Sequence, residues 1–141
     1  MANPSRARAA KGSKLLRGNG ASPEIFTLVG EIRSIDGPDG QTNLIEVTTL
    51  ESTGKEYVVD VPDFGTITLQ MNLDEDDTPQ TGLENDYYTQ AKRNFRLELS
   101  TPLQKTLAFS GYVTAFSYGA RVGSQITADA TIKITGGVTR L

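Results

Sequence analysis

The densest set of groups able to bind or catalyse is Asp74, Glu75, Asp76 and Asp77, four carboxylates in a row. Such a run is a candidate calcium loop. An EF-hand loop opening at Asp74 would need glycine at its sixth place and glutamate at its twelfth, where the chain has Pro79 and Asn85. The cluster reads better as a solvated turn into a helix, with acids where the helix dipole favours them. No metal site is expected. The chain has no histidine and no cysteine, which removes imidazole bases, thiol nucleophiles, the common zinc ligands and disulfides. Its glycines fall in neither GxxxxGK[ST] nor GxGxxG, so no phosphate loop is present. Nothing singles out two of the seventeen carboxylates as an acid/base pair. The chain is expected to be no enzyme and to hold no cofactor.

Charge divides the chain. Up to Pro23 there are five basic residues, Arg6, Arg8, Lys11, Lys14 and Arg17, and no acid. All seventeen acids and the other nine basic residues follow, leaving a body of net charge −8. Residues 1–23 lack sustained periodicity and read as a flexible basic arm ahead of a single domain over 24–141. The arm is too small for tight nucleic-acid binding and has no aromatic residue to stack on bases. Contact with the acidic body of a neighbouring copy accounts for it better, aided by Leu15 and Leu16. No stretch approaches the ~20 apolar residues of a membrane span. Leu15-Leu16 is no signal-peptide core, so the chain reads as soluble and not exported by that route.

The elements that would position these groups are mostly strands. After Pro23 the apolar period becomes two: Phe26, Leu28 and Ile32 share a face in 26–33, and 43–50 is a second β-rich run. The cleanest alternation is 65–73, with Ile67, Leu69 and Met71 against Thr66, Thr68, Gln70 and Asn72. Residues 94–99, 106–116 and 126–135 complete six strands, the last burying Ile126, Ile132 and Ile134 and ending at Gly136-Gly137. One helix is expected over 81–92, where Leu83, Tyr87 and Ala91 recur at four-residue spacing. The pattern predicts a mainly β protein, a sandwich or barrel with one short helix packed on it.

Three stretches together resemble the siphophage, lambda-type major tail tube protein family. They are 20–38 (GASPEIFTLVGEIRSIDGP), 45–57 (IEVTTLESTGKEY) with PDFG at 62–65, and NFR at 94–96 with FSGYVTAF at 109–116 and TIKITG at 131–136. They stand in family order over roughly residues 20–139. Asp60 departs from the glycine that relatives often carry, which leaves the path of 51–64 open, and the immunoglobulin-like domain that some relatives append is not expected. The tube subunit of gene-transfer-agent particles is similar.

The resemblance implies a virion-tail subunit, assembled in the bacterial host cytoplasm. It would form stacked hexameric rings around a tape-measure protein, meet terminator and tail-tip proteins, and later conduct double-stranded DNA, with no role for a membrane. Contacts between copies are expected from Arg6, Arg8, Lys11, Lys14, Leu15, Leu16 and Arg17, and from Glu51, Lys55, Glu56 and Tyr57. The bore is expected to be lined by the polar, uncharged face Thr66, Thr68, Gln70 and Asn72, with Asp129 and Lys133 beside it. Two alternatives stand. One is the inner tube of a secretion system. The other is an OB-like nucleic-acid module using Tyr112, Phe116 and Tyr118, which the acidic body disfavours.

Overall fold

A computed structural model describes residues 13–99 and 105–141. Its elements are β1 (Lys14–Gly18), β2 (Phe26–Leu28), β3 (Ile32–Asp36), β4 (Leu44–Glu46), β5 (Tyr57–Val59), β6 (Thr66–Asn72), α1 (Thr78–Thr89), β7 (Arg93–Glu98), β8 (Thr106–Gly119) and β9 (Thr127–Arg140). Seven strands form one antiparallel sheet in the order β2-β1-β7-β8-β9-β6-β3, and β4 pairs with β5 in a separate ribbon.

The two ends of that sheet, β2 and β3, are consecutive in the chain and run in the same direction. Laid flat, seven strands would hold their outer members about 29 Å apart. The four Cα steps from Leu28 to Ile32 reach at most about 15 Å. The sheet must therefore roll up. Residues 26–36 are one extended segment whose first half pairs with β1 and whose second half pairs with β6. The expected sandwich is thus made by one continuous sheet.

The kink at 29–31 is held from the helix side. Glu31 takes a positive φ of 60°, which releases the segment from one edge and turns it to the other. Gly30 N–H donates to the Asp77 carboxylate at 3.1 Å, and Gln80 Nε2 donates to the carbonyls of Gly30 at 2.8 Å and Asn72 at 3.0 Å. Gln80 Oε1 in turn accepts from Asp74 N–H at 2.9 Å. Gln80 is buried with its hydrogen-bonding capacity used.

The long hairpin β8–β9 belongs to both halves of the roll. Residues 106–111 of β8 pair with β7, whereas 127–133 of β9 pair with β6. Its ladder is interrupted between Ala108 and Ser110 and between Val113 and Ala115. Extra residues at such points bend a strand and let it pass from one layer to the other. One core fills the interior. Ile67, Leu69 and Met71 of β6 and Ala128, Ala130, Ile132 and Ile134 of β9 alternate inward, with Phe95 stacked on Phe109 at 5.7 Å and Leu83 covering them from α1.

Several expectations are corrected. The helix begins three residues early because Asp77 caps it through Gln80 N–H, with Pro79 in its first turn; it stops at Thr89 because Gln90 is left-handed. Ala91 therefore lies outside it. In 26–33 the kink inverts the face: Val29 is buried and Leu28 is exposed. Only Leu44–Glu46 of 43–50 is strand. Gly136-Gly137 sits in a bulge and β9 continues to Arg140, while Ile126 precedes the strand and is half exposed. Within the expected arm, Lys14–Gly18 is a strand between β2 and β7 with Leu15 fully buried. Its five residues are too few to show a period, and the inward Arg17 disguises its dry face.

Replacing Gln80 with leucine keeps the volume but orphans two buried carbonyls and one N–H, each costing about 1–3 kcal/mol. Urea unfolding of Gln80→Leu should show a lower midpoint with an unchanged slope. A midpoint equal to that of the parent would show that the kink is held by something else.

Candidate functional site

In an antiparallel sheet, directly opposed residues share a face. Thr66, Thr68, Gln70 and Asn72 lie opposite Lys133, Thr131, Asp129 and Thr127. All six expected bore residues therefore stand together on the outer face of the β3-β6-β9-β8 layer. Tyr112, Ala115 and Ser117 of β8 continue this face beyond Lys133, Thr131 and Asp129, and Ser34 of β3 bonds Gln70 at 3.2 Å. The opposite face of the same strands is core. The outer face is mostly threonine and amide, neutral groups that exchange hydrogen bonds with water freely.

Its one lysine is engaged. Lys133 Nζ donates to Asp63 Oδ1 at 2.7 Å and to the Gly65 carbonyl at 3.4 Å. The ammonium group, together with Gly65 N–H, holds the Asp63 carboxyl below its ordinary value of 3.8. Asp39 is likewise lowered, chiefly by the Thr66 N–H that it accepts at 2.8 Å. At the other end of the face, Arg33 and Arg121 line an open hollow of about 460 Å³ with Asp129, Gln70 and Gln125. Among the described residues no group of three or more acids is arranged to hold a metal ion.

The second feature is the ribbon between β3 and β6. Gln41 and Asp63 bridge its base, and Leu44, Ile45 and Glu46 pair with Val59, Val58 and Tyr57. Both of its faces carry exposed apolar side chains, including Leu44, Val59 and Tyr57 on one and Ile45 and Val58 on the other. Leu50 and Val61 are almost wholly exposed. A two-stranded ribbon with neither face covered is marginal alone, and such a patch marks an interaction surface. Its tip is nonetheless ordered by local bonds: Ser52 Oγ to Glu56 at 2.6 Å, and Glu56 N–H to Thr48 Oγ1 at 2.9 Å. Asp60 N–H donates to the Asn43 carbonyl, so the segment returns alongside β4.

The expected contact residues divide. Glu51, Lys55, Glu56 and Tyr57 all lie exposed on the ribbon. Lys14 is exposed and Leu16 partly so. Leu15 and Arg17 instead serve the interior of their own chain. Arg17 grips the buried Asp86 through Nε at 2.7 Å and a second nitrogen at 2.9 Å, and Arg93 reaches the same carboxylate at 3.0 Å. Asp86 thus ties α1 to β1 and β7, a role missed from sequence. Its signal was an acid three residues after Leu83, on the inward stripe of the helix. Arg6, Arg8 and Lys11 lie outside the described residues.

No protein-family model matches the sequence, and no curated protein is significantly similar to it in sequence. Solved structures do match in fold. A chain of the native gene transfer agent virion aligns with TM-score 0.75 and 12% identity, covering 96% of this chain and 99% of that one. The SPP1 tail tube aligns with TM-score 0.68 and 10% identity, covering 94% and 77%. A chain from the sheath/tube terminator of an extracellular contractile injection system gives 0.71 and 13%, covering 97% and 98%. The chain has the tail-tube fold, mainly β with a single short helix among the described residues.

The Lys133 contact has a definite pH dependence. Because the folded-state pKa of Asp63 is depressed, its stabilising contribution is complete above the ordinary carboxylate range. It is lost as pH falls through the lowered value. In Lys133→Met the Asp63 carboxyl should titrate closer to 3.8, as read from its side-chain carbon by NMR. An unmoved titration would show that the ammonium group is not what lowers it.

Proposed function

We propose that this chain is the structural subunit of a phage-type tail tube, in which six copies form a ring and rings stack into a conduit. The observation that carries the reading is one layer, β3-β6-β9-β8, that is core on one side and neutral and wet on the other, within a tail-tube fold. Among the described residues both borders of that layer are open. β3 is the last strand of the sheet, and residues 112–119 of β8 extend beyond the reach of β7. Unpaired edges invite pairing with another chain. β3 and β8 run antiparallel to each other, so rotation about a ring axis would bring β3 of one copy against β8 of the next in the antiparallel sense. Such a head-to-tail contact closes a ring when the rotation closes.

The dimensions agree. Four strands from each of six copies, at about 4.8 Å spacing, give a circumference near 115 Å and a backbone diameter of about 37 Å. Side chains of about 5 Å on each wall leave about 27 Å, room for one DNA duplex and not two. The wall would carry Thr66, Thr68, Gln70, Asn72 and Asp129, with Lys133 masked by Asp63. Arg33 and Arg121 stand beside Asp129 at one end of this wall, and the acidic body repels phosphates within a Debye length of about 8 Å. During assembly the bore would hold a tape-measure protein, and the ends of the tube would meet terminator and tail-tip proteins. The particle would be a phage or gene-transfer-agent virion built in the bacterial cytoplasm.

Contacts between copies would come from the ribbon, with Glu51, Lys55, Glu56 and Tyr57, and from Lys14, Leu16 and the preceding basic residues Arg6, Arg8 and Lys11. One exposed ion pair is worth only ~0.2–1 kcal/mol, but six repeats at each junction act together.

Electron microscopy of concentrated protein or of native tails should show six-fold rings with the Thr66–Asn72 strand facing inward. Compact monomers at every concentration, or that strand on the tube exterior, would overturn the reading. Replacing residues 44–59 by two glycines should leave circular dichroism of the monomer nearly unchanged while reducing tube formation at least tenfold.

A further inference from the structure

The exposed apolar ribbon calls for a receptor, and the molecule displays one. On the outer face of the other layer, β2-β1-β7 with the first part of β8 and the end of β9, Arg96 lies over the ring of Phe26, 4.2 Å from its centroid. Phe26, Arg96, Ala108, Ser110 and Thr139 line an open trough of about 280 Å³. Beside it Leu28 is 46% exposed, and Leu16 pairs with both Leu28 and Arg96 on the same face. The trough combines an apolar floor and a guanidinium plane, and it borders β2, the outermost strand of the sheet among the described residues.

Charge separates this face from the rest of the acidic body. Lys14 and Arg96 stand on it, and Lys105 and Arg140 lie at the same end of the strands, against Glu98 and Glu24. From Asp39 to Asp63, by contrast, the ribbon and its roots carry six carboxylates and the single Lys55. Two of the six, Asp39 and Asp63, are occupied at the ribbon base, Asp60 lies beside Asn43 near that base, and Glu46, Glu51 and the Ser52-bonded Glu56 stand toward the tip. An acidic, apolar ribbon and a basic, apolar trough on one molecule are complementary in both respects. Complementary potentials fix partner and register as well as speeding encounter.

We infer that the ribbon of one copy seats in the Phe26/Arg96 trough of another copy, so that Val59 and Leu44 cover Phe26 and Leu28 while Glu46, which pairs with Tyr57 on the same face, approaches Arg96. The occupant is a second copy because the ribbon is anchored at its base, through Lys133, on the opposite layer from the trough. This rests on the tube reading above and adds to it the receiving surface.

Since the chain has no cysteine, introduced pairs report cleanly. Val59→Cys and Ala108→Cys would be made singly and together, polymerised, imaged and then oxidised. The double variant should give a ladder of covalent multimers, and a mixture of the two single variants should give dimers. Adding Arg96→Glu should cut cross-linking at least tenfold, and 1 M salt should weaken it. A Val59→Cys/Arg121→Cys pair serves as the control for the other arginine-bearing hollow. Tubes that form without the ladder, or that cross-link at position 121 instead, overturn this inference and leave the tube reading intact. A band of altered mobility at monomer mass shows that the ribbon reaches its own trough, which also overturns it. Absence of tubes, with monomeric protein throughout, overturns both.

Discussion

Three residues, Val29, Gly30 and Glu31, set the geometry of the whole molecule. They join the two borders of a seven-stranded sheet across a gap that a flat sheet could not span, so the sheet has to roll. The helix N-terminus then serves as a clamp at the join: Asp77 caps the helix and holds Gly30, and Gln80 holds Gly30 and Asn72. Of the four acids in the turn before the helix, Asp77 gives its carboxylate and Asp74 its N–H to this clamp. A side chain at position 30 would run into the Asp77 carboxylate, its Cβ 2.8 Å from Oδ1, so the clamp also demands glycine there.

Rolling gives every strand a dry and a wet side, and period-two sequences then sort themselves. In β6 and in residues 127–134 of β9 the apolar residues point inward and threonine, amide, Asp129 and Lys133 point outward. The same constraint leaves β3 and the distal part of β8 as open borders of one layer and puts the ribbon outside it. The features that suit self-association are thus by-products of how the chain closes on itself. A fold stabilised entirely within one chain would have no reason to keep eight large apolar side chains exposed along a single ribbon segment.

Strands with one face in the core were legible from sequence. Ile67, Leu69, Met71, Phe95 and Leu97 fall where alternation puts them, and the six polar residues of the outer face were identified together. Legibility failed where a local pattern is overruled by a distant partner. Arg17 faces inward only because Asp86, 69 residues away, meets it. Leu28 and Val29 exchange roles because the segment changes partner strands between them. Gly136-Gly137 reads as a stop, yet β8 supplies the hydrogen bonds that carry β9 past it. The ribbon was visible as β-rich but not as a separate body, since nothing in its composition says that neither face will be covered. The trough around Phe26 and Arg96 was missed altogether, because its lining comes from four strands that are remote in sequence.

The position of β9 also bears on the order of events during synthesis. It follows every other strand in the sequence but lies fifth of seven in the sheet, joining β8 to β6. Until residues up to about 133 leave the ribosome, β6 and β3 make no strand pairing with the rest of the sheet, and the roll cannot close. The β3-β6-β9-β8 layer is therefore complete only once the final strand is in place. Pairings this distant in sequence make closure slow relative to local hairpins. The interval between translation and closure is when the half-made sheet is most exposed to chaperones and to premature association.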